Sequence, residues 1–381
     1  MIDGPSIILG NLLREFNKDD VVLFKRKING NTNTYNRSGN ELSIKEYSVF
    51  VPTPYLPCLS SFWRRVFRLL EVLFIPLTVI KGLWVCNIEG IDCILATSDQ
   101  PHAHFLTSAY LISRMAKKRL VLYLLDPAEA FPMNIVQKNM VNMFLPRMMK
   151  YSSKVIVMSD ILAEHYWSKF KIKCEVLHHS VDINNNICNP ESIKKEQREK
   201  IEIIFSGKIS KYQEDGLLNM LKAIKSLSEN IVLKMYTPTR PEFLKQLGFS
   251  EDNIIIDYVN HEDLKKELCK ADILFLPLSF MNASSIIVKA AFPAKTMDYL
   301  LASRPILINA PEDSFLVRYA RDNGIAEIVT ENSADELARA LSALIRDKEK
   351  RNRLVANCKS TAIKHEPRVI FKRFSEIIKD I

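Results

Sequence analysis

Lys295 and Asp298 stand three positions apart in Phe292-Pro-Ala-Lys-Thr-Met-Asp-Tyr-Leu-Leu-Ala-Ser-Arg-Pro-Ile-Leu307. Pro293 marks where a helix can begin, because its missing N–H would have no intrahelical partner there. Asp298 then falls about one turn inside that helix, and Arg304-Pro305 ends it. Asp272-Ile-Leu-Phe-Leu-Pro-Leu-Ser279 before it reads as a buried strand, and Pro305-Ile-Leu-Ile-Asn-Ala310 after it resumes an apolar strand. A helix N-terminus at the exit of a strand is an anion site. With a carboxylate one turn further in, the pattern suits a sugar nucleotide: diphosphate on the N–H groups, ribose hydroxyls on Asp298.

A second candidate is Asp126 in Leu120-Val-Leu-Tyr-Leu-Leu-Asp-Pro127. An acid at the end of a buried strand can orient a substrate or move a proton. The plainer reading is an Asp-Pro turn. His102 and His104, in Asp99-Gln-Pro-His-Ala-His104, have a spacing that could bind metal, but no third ligand is suggested and a loop role is simpler. His178 and His179 read as strand-end residues. No two aspartates lie two positions apart, so an Asp-x-Asp metal element is absent, and so are a Gly-x-Gly pair and a Walker-type loop.

The elements that must position these groups follow from the pattern. Apolar, β-branched runs occur at Val21–Lys25, Asp92–Ala96, Leu120–Leu125, Lys154–Met158 and Glu175–Leu177 in the first half. They recur at Glu202–Phe205, Val232–Tyr236, Ile254–Asp257, Ile273–Leu276, Ile306–Asn309 and Glu327–Val329 in the second. Helical stripes lie between them, such as Leu217, Leu218, Leu221, Ile224 and Leu227, or Leu337, Ala340, Leu341, Leu344 and Ile345. Ser333-Ala-Asp-Glu336 matches a capping box. Continuous apolar strands alternating with helices imply parallel sheets covered on both faces. The polar stretch from Asn184 to Lys200 reads as a linker between two such units. Ligands bind at the carboxyl ends of strands in open sheets, so the expected site is the cleft between two facing units. At the N-terminus, Gly4-Pro-Ser-Ile-Ile-Leu-Gly-Asn-Leu-Leu-Arg-Glu-Phe16 is a turn entering a helix, with only Met1-Ile-Asp3 before it. The strand that usually opens such a unit is expected to be missing.

Composition narrows the function. A length of 381 residues gives two or three domains. The net charge of +9 reads plainly as a solvated basic surface or, more sharply, as attraction to anionic substrates or a lipid surface. No nucleic-acid module accompanies it. The seven cysteines are odd in number and lack a Cys-x-x-Cys pair, so no disulfide framework or zinc site is expected and a cytoplasmic setting fits. The run Phe62–Val85 is the most membrane-like, but its longest uncharged part, Val72 to Ile80, is 9 residues, against roughly 20 needed to span a bilayer. It reads as a helix broken near Pro76, with Arg64, Arg65 and Arg68 beside Phe62, Trp63 and Phe67. That face could rest on anionic lipid at the inner side of a membrane, or could be the basic outer face of a half-buried helix.

Taken together, the residues resemble the retaining glycosyltransferases of family 4. The segment Glu202-Ile-Ile-Phe-Ser-Gly-Lys-Ile-Ser-Lys211 is similar to that family's first nucleotide-domain strand and its Gly-basic phosphate turn. Ile254-Ile-Ile-Asp-Tyr-Val-Asn-His-Glu-Asp-Leu264 resembles its base-reading turn, and Ala271-Asp-Ile-Leu-Phe-Leu-Pro277 a further strand. Ala294–Pro305 resembles its "K-x-x-E-Y-L" helix, with Asp298 in place of the glutamate and Ala290 where a first glutamate is common. Tyr151–Ser159 and Glu175–Asp182 look like strands closing the acceptor domain.

The resemblance implies the GT-B fold, α/β, with two Rossmann-like doubly wound domains facing across a cleft. Residues 1–188 would bind acceptor, residues 200–364 the nucleotide sugar, and residues 365–381 would be a helix crossing back. It implies transfer from a nucleotide-sugar donor to a glycan or lipid-linked acceptor, with retention and no metal or other cofactor. Lys208, Lys211 and Lys295 would stabilise the departing diphosphate with the helix N-terminus. Asp298 and Gly4 would add donor contacts, and Asp126 would serve catalysis. For each lysine a solvated surface position is the plainer alternative, and for Asp298 a first-turn acid favoured by the helix dipole. A sugar-nucleotide epimerase of the same fold and a non-catalytic nucleotide-sugar-binding subunit remain alternative functions.

Overall fold

The computed structural model describes residues 4–27, 44–51, 70–97, 103–130, 135–183, 188, 200–249 and 253–381. The expectations placed on Met1–Asp3, on Phe62 to Arg68, on His102 and on nearly all of the 184–200 linker lie outside these residues. The chain divides into two compact units. One gathers Asp3–His178 with Phe371–Ile381, and the other is His179–Ile370.

In the first unit, β1 (Val22–Arg26) and β2 (Lys45–Val49) pair in parallel, from Val22 opposite Lys45 to Arg26 opposite Val49. A four-stranded parallel sheet takes β3 (Cys93–Thr97), β4 (Arg119–Leu124), β5 (Lys154–Val157) and β6 (Glu175–Val176) in chain order. From Leu120 to Leu124, β4 is buried throughout, as an all-apolar central strand must be. Ser159 caps the helix Asp160–Phe170, its hydroxyl accepting from the Leu162 N–H, which contributes about 1 kcal/mol. The C-terminal helix Pro367–Ile378 sets Phe371 and Phe374 edge-on against Phe16, at 4.9 and 5.8 Å.

The expected break near Pro76 is present: residues 70–73 are helical, a turn at Phe74 interrupts them, and the helix Ile75–Ile88 follows. Pro76 sits in the first turn of that second helix, where a missing N–H costs nothing. The helix's inner face packs closely enough on the helix Ala103–Ala116 that a Cβ on Gly82 would lie 2.2 Å from Ile112 Cδ1. Leu77, Ile80, Trp84 and Ile88 are exposed on its outer face, while Arg64, Arg65 and Arg68 lie outside the described residues.

The second unit holds a six-stranded, all-parallel sheet. Its strands are β7 (Ile201–Ser206), β8 (Ile231–Tyr236), β9 (Ile254–Asp257), β10 (Ile273–Pro277), β11 (Ile306–Asn309) and β12 (Ala326–Val329), in the order β12-β11-β10-β7-β8-β9. The chain builds outward from β7 to β9, then crosses back to β10 and builds the other way. The order thus reverses between β7 and β10. The expected stripes face inward: Leu217, Leu221, Ile224, Leu337, Leu341 and Leu344 join Ile203, Phe205 and Phe275 in one core. The capping box forms, with Ser333 Oγ accepting from the Glu336 N–H at 3.3 Å.

Two further ties hold this unit. Cys188 and Cys269 form a disulfide with Cα atoms 5.8 Å apart, against the expectation of unpaired cysteines. An odd count and the lack of a local motif say nothing about two thiols brought together by folding from 81 positions apart. Cysteine usage therefore gives no argument for a reducing compartment. The second tie joins the unit's two ends. His365 donates through Nδ1 to the His179 carbonyl at 2.7 Å, and the Val181 N–H donates to the His365 carbonyl at 2.8 Å. The His179 ring stacks on Phe292 and donates to the Phe292 carbonyl at 2.7 Å.

Candidate functional site

The carboxyl ends of β7 and β10 are where an open parallel sheet with this strand order binds its ligand. The two strands pair only at Ile203–Ile273 and Ile204–Leu274, although both run further. Beyond that point a side chain takes over the bridging. The Tyr299 hydroxyl accepts from the Ser206 N–H at 2.9 Å and donates to the Phe275 carbonyl at 3.3 Å. Tyr299 is fully buried, and burial pushes its phenol up, so it stays neutral and can serve as donor and acceptor at once. It thereby pins the helix Lys295–Leu301 over the opening between the strands.

Gly207 follows β7 with φ of +110°, a conformation that a side chain disfavours. The same turn needs room: a Cβ there would lie 3.0 Å from Lys295 Nζ. That ammonium sits 3.9 Å from the Phe205 ring centroid. Burial lowers its pKa from the ordinary lysine value to about 7. The face of Phe205 offsets part of that desolvation, and among the described residues no carboxylate forms an ion pair with it. The site thus presents a desolvated cation, a glycine turn with room against it, and a half-buried carboxylate, Asp298, one turn into the same helix. Such a set can hold and neutralise an anion.

The loops after β7 and β10 are sewn together. Asp215 Oδ2 accepts from the N–H groups of Phe280 and Met281 at 2.7 and 3.0 Å. Asn282 Nδ2 donates to the Lys211 carbonyl at 2.9 Å, and the Ser279 N–H to the Tyr212 carbonyl at 2.9 Å. Lys208 and Lys211 are both exposed on the first of these loops. Lys211 lays its ammonium 5.1 Å from the Tyr212 ring centroid, while its own carbonyl is taken by Asn282. Ala290 is buried at the end of the short helix Ile286–Lys289.

The structure therefore brings Lys295, Asp298 and the Gly207 turn into one neighbourhood of the second unit, with Lys208 on the adjoining loop. Asp126 and Gly4 belong to the first unit. Asp126 is half-buried in the bend after β4, and Gly4 begins the helix Gly4–Leu13. Three residues past Asp126, Glu129 accepts from His165 at 2.8 Å, Tyr166 at 3.2 Å and Lys169 at 3.0 Å. Burial works to raise the Glu129 carboxyl, but these bonds hold it below the usual range. The loop after Asp126 is thus fixed by a fully partnered carboxylate. His104 is buried, Nδ1 against the Glu71 carbonyl at 2.7 Å and Nε2 against the Thr78 hydroxyl at 2.8 Å; it is a satisfied histidine, but it sits in the helix Ala103–Ala116 and not in the expected loop. Among the described residues no group of three His, Cys, Asp or Glu is placed to hold a metal ion. No described helix is long and apolar enough to cross a membrane.

Sequence reasoning missed the Tyr299 bridge and the Asp215 clamp. A tyrosine following an acid in a helix, and an acid opening the helix Glu214–Ser226, were both visible. Their bonds depend on where β10 lies.

Comparison with known proteins bears on the family and the fold. Residues 189–361 match the family model described as "Glycosyl transferases group 1". No curated protein sequence matches the chain. Among solved structures, Anabaena HepE in complex with UDP and glucose aligns with a TM-score of 0.72 at 13% identity, covering 100% of this chain and 97% of that one. Sucrose-phosphate synthase from Thermosynechococcus elongatus aligns at 0.67 and 12% identity, covering 95% and 88%. A putative UDP-N-acetylglucosamine 2-epimerase from Listeria monocytogenes aligns at 0.57 and 11% identity, covering 100% and 94%. These likenesses show the GT-B fold over the whole chain.

Proposed function

We propose, from the group 1 glycosyl transferase domain at residues 189–361, that the protein is a glycosyltransferase using a nucleotide-sugar donor. The observation that carries this reading is the desolvated Lys295 ammonium beside the Gly207 turn, at the opening between β7 and β10. The donor's diphosphate is the anion that fits it. Lys208 and Lys211 add charge from the loop, and Asp298 holds hydroxyls of the donor. The HepE complex contains UDP and glucose, which supports a uridine nucleotide here.

In the proposed reaction the bond from the anomeric carbon to the phosphate oxygen breaks. The nucleoside diphosphate leaves with the electron pair, and Lys295 and the lysines of the loop stabilise its charge. The acceptor hydroxyl oxygen bonds to the anomeric carbon on the same face, giving retention through an oxocarbenium-like transition state. Its proton passes to the departing phosphate. Asp126 is the proposed orienting or acid/base group. The reading invokes no metal or other cofactor. The proposed acceptor is a glycan or a lipid-linked sugar.

A thermal-shift panel of uridine, guanosine and adenosine diphosphates, without metal, tests the donor reading. A ligand that binds only the folded chain raises the midpoint, and the uridine nucleotide should raise it most. Asp298→Ala and Lys208→Ala should both weaken that shift. Unchanged shifts in both variants would overturn the site assignment. Release of nucleoside diphosphate only when acceptor is present separates a transferase from an epimerase, which interconverts donors without one.

A further inference from the structure

Lys295 reaches its place over Phe205 only if the helix that carries it starts at one point, and a histidine from much earlier in the sequence marks that point. In an α-helix a carbonyl accepts from the N–H four positions on. The Thr296 N–H, four positions after Phe292, goes instead to the Pro293 carbonyl at 2.9 Å, and the Met297 N–H goes to the Ala294 carbonyl at 3.1 Å. The Phe292 carbonyl thus stands outside the helix ladder, and His179 Nε2 donates to it at 2.7 Å across 113 positions of sequence. Both residues are buried, His179 at 3% and Phe292 at 7% exposure.

The rings repeat the contact. His179 stacks on Phe292 with centroids 5.2 Å apart, while Phe315 and Tyr319 close on the Phe292 ring from 5.2 and 4.7 Å. His179 is held in turn. Its carbonyl accepts from His365 Nδ1 at 2.7 Å, which leaves His365 Nε2 to accept from the Tyr319 hydroxyl. Burial pushes the Tyr319 phenol up, so it keeps the proton that this bond needs. The contacts close a circuit: His179 to Phe292, Phe292 to Tyr319, Tyr319 to His365, and His365 back to His179. Each group fixes the next, which leaves the Phe292 carbonyl little freedom.

The second anchor of the same helix is Tyr299, with its hydroxyl between β7 and β10. Lys295 falls between the two fixed points, three residues after Phe292 and four before Tyr299. Its tip has no slack. Lys295 Nζ is 3.9 Å from the Phe205 ring centroid and would lie 3.0 Å from a Cβ on residue 207. A slip of the helix by one residue swings a side chain by about 100°, which would carry the amine out of this slot. We propose that His179 is a positioning residue of the donor site: by holding the carbonyl and the ring of Phe292 it sets the start of the helix Lys295–Leu301 and so keeps Lys295 over Phe205 at the Gly207 turn. The part this plays in transfer rests on the donor reading; the positioning itself does not.

Trace acetylation of the full chain with acetic anhydride, read by peptide mass spectrometry across pH, titrates the Lys295 amine with no nucleotide present. In wild type the labelling midpoint of Lys295 should lie at about 7. His179→Phe keeps a stacked ring and removes the donor, so the midpoint should move up toward the ordinary value of about 10.4. His179→Gln restores a side-chain N–H and should bring it back. A histidine that merely fills the core would lower the melting temperature of His179→Phe and leave the Lys295 titration unchanged, and that result in a folded variant would overturn the proposal. Tyr319→Phe opens the circuit at a single hydroxyl and should move the midpoint the same way by less; where His179→Phe does not fold, an unchanged midpoint in Tyr319→Phe overturns the proposal. So does a wild-type Lys295 that titrates with the surface lysines. Calorimetry with uridine diphosphate separates this outcome from that of the donor reading. His179→Phe should bind about tenfold more weakly than wild type, and His179→Gln within about threefold of it. Equal affinity in wild type and a folded His179→Phe would count against the positioning role. A Lys295 titration that shifts as expected, with no uridine diphosphate bound by wild type, would instead refute the donor reading and leave the positioning role standing.

Discussion

If the donor's diphosphate binds where we propose, Lys295 should make that binding a proton-uptake reaction. In the free protein burial holds its pKa at about 7, against about 10.4 in an unfolded chain. At about pH 8.5 only some 3% of the molecules carry the charge. A bound diphosphate beside the Gly207 turn supplies the missing anion and returns the group to its charged form. Binding should therefore take up close to one proton at about pH 8.5 and only about a tenth of one at pH 6. Affinity should fall roughly tenfold per unit as pH rises from about 7 toward 10.

Titration calorimetry of uridine diphosphate in buffers of different ionisation enthalpy reads the proton number directly. The uptake at high pH should vanish in Lys295→Met, which should also bind more weakly than wild type at pH 6. Buffer-independent enthalpies in wild type, or uptake that persists in Lys295→Met, would refute the assignment. Stability gives an independent check of sign. The folded pKa lies below the unfolded one, so from about pH 7 to about 10.5 the unfolded chain holds a proton that the folded chain has released. This residue makes the fold more stable as pH rises through that window, and Lys295→Met should flatten the rise.

Tyr299→Phe strips the Ser206 N–H of its acceptor inside the core and should cost about 1–3 kcal/mol in urea unfolding; a loss under about 0.5 kcal/mol would mean that another group bridges the strands. The Cys188–Cys269 bond closes a separation of 81 residues, for which loop entropy gives about 4.5 kcal/mol. Reductant should lower the denaturant midpoint of wild type and leave Cys188→Ser/Cys269→Ser where it is, and equal midpoints would show that the bond is not formed in solution. Gly207→Ala must hold an unfavourable φ and displace Lys295, so stability should fall by about 1–3 kcal/mol with a larger proportional loss of uridine diphosphate affinity; calorimetry on a folded variant that bound normally would remove the turn from the site.

The strands β3 to β12 were legible in the sequence to within a residue or two. Most are short apolar runs, β-branched as in Ile254–Ile256 or leucine-rich as in Leu120–Leu124, and both units alternate such runs with helical stripes. Lys45-Glu-Tyr-Ser-Val49 was not legible, because its first two positions are charged and its strand state comes from pairing with β1 and the Lys25–Glu46 bridge. At the candidate site, helix spacing picked out Lys295 and Asp298, and the family resemblance pointed to the Gly207 turn. What it could not give was environment. The same lysine is an ordinary surface cation or a desolvated one depending on whether Phe205 lies beneath it. The Tyr299 hydroxyl has a task only because β7 and β10 part after Ile204. Cys188 and Cys269 show the same limit, since nothing local encodes a pairing across 81 positions.

The bonds among His179, Val181 and His365 place the start and the finish of the second unit at one spot. A polypeptide whose ends already touch is a ring cut at an arbitrary point. A short tether from residue 370 back to residue 179 would close that ring, and the cut could be moved to a surface connection such as the one between β8 and β9 with the core unchanged. Circular permutation and insertion into an unrelated host are therefore open to this half of the chain.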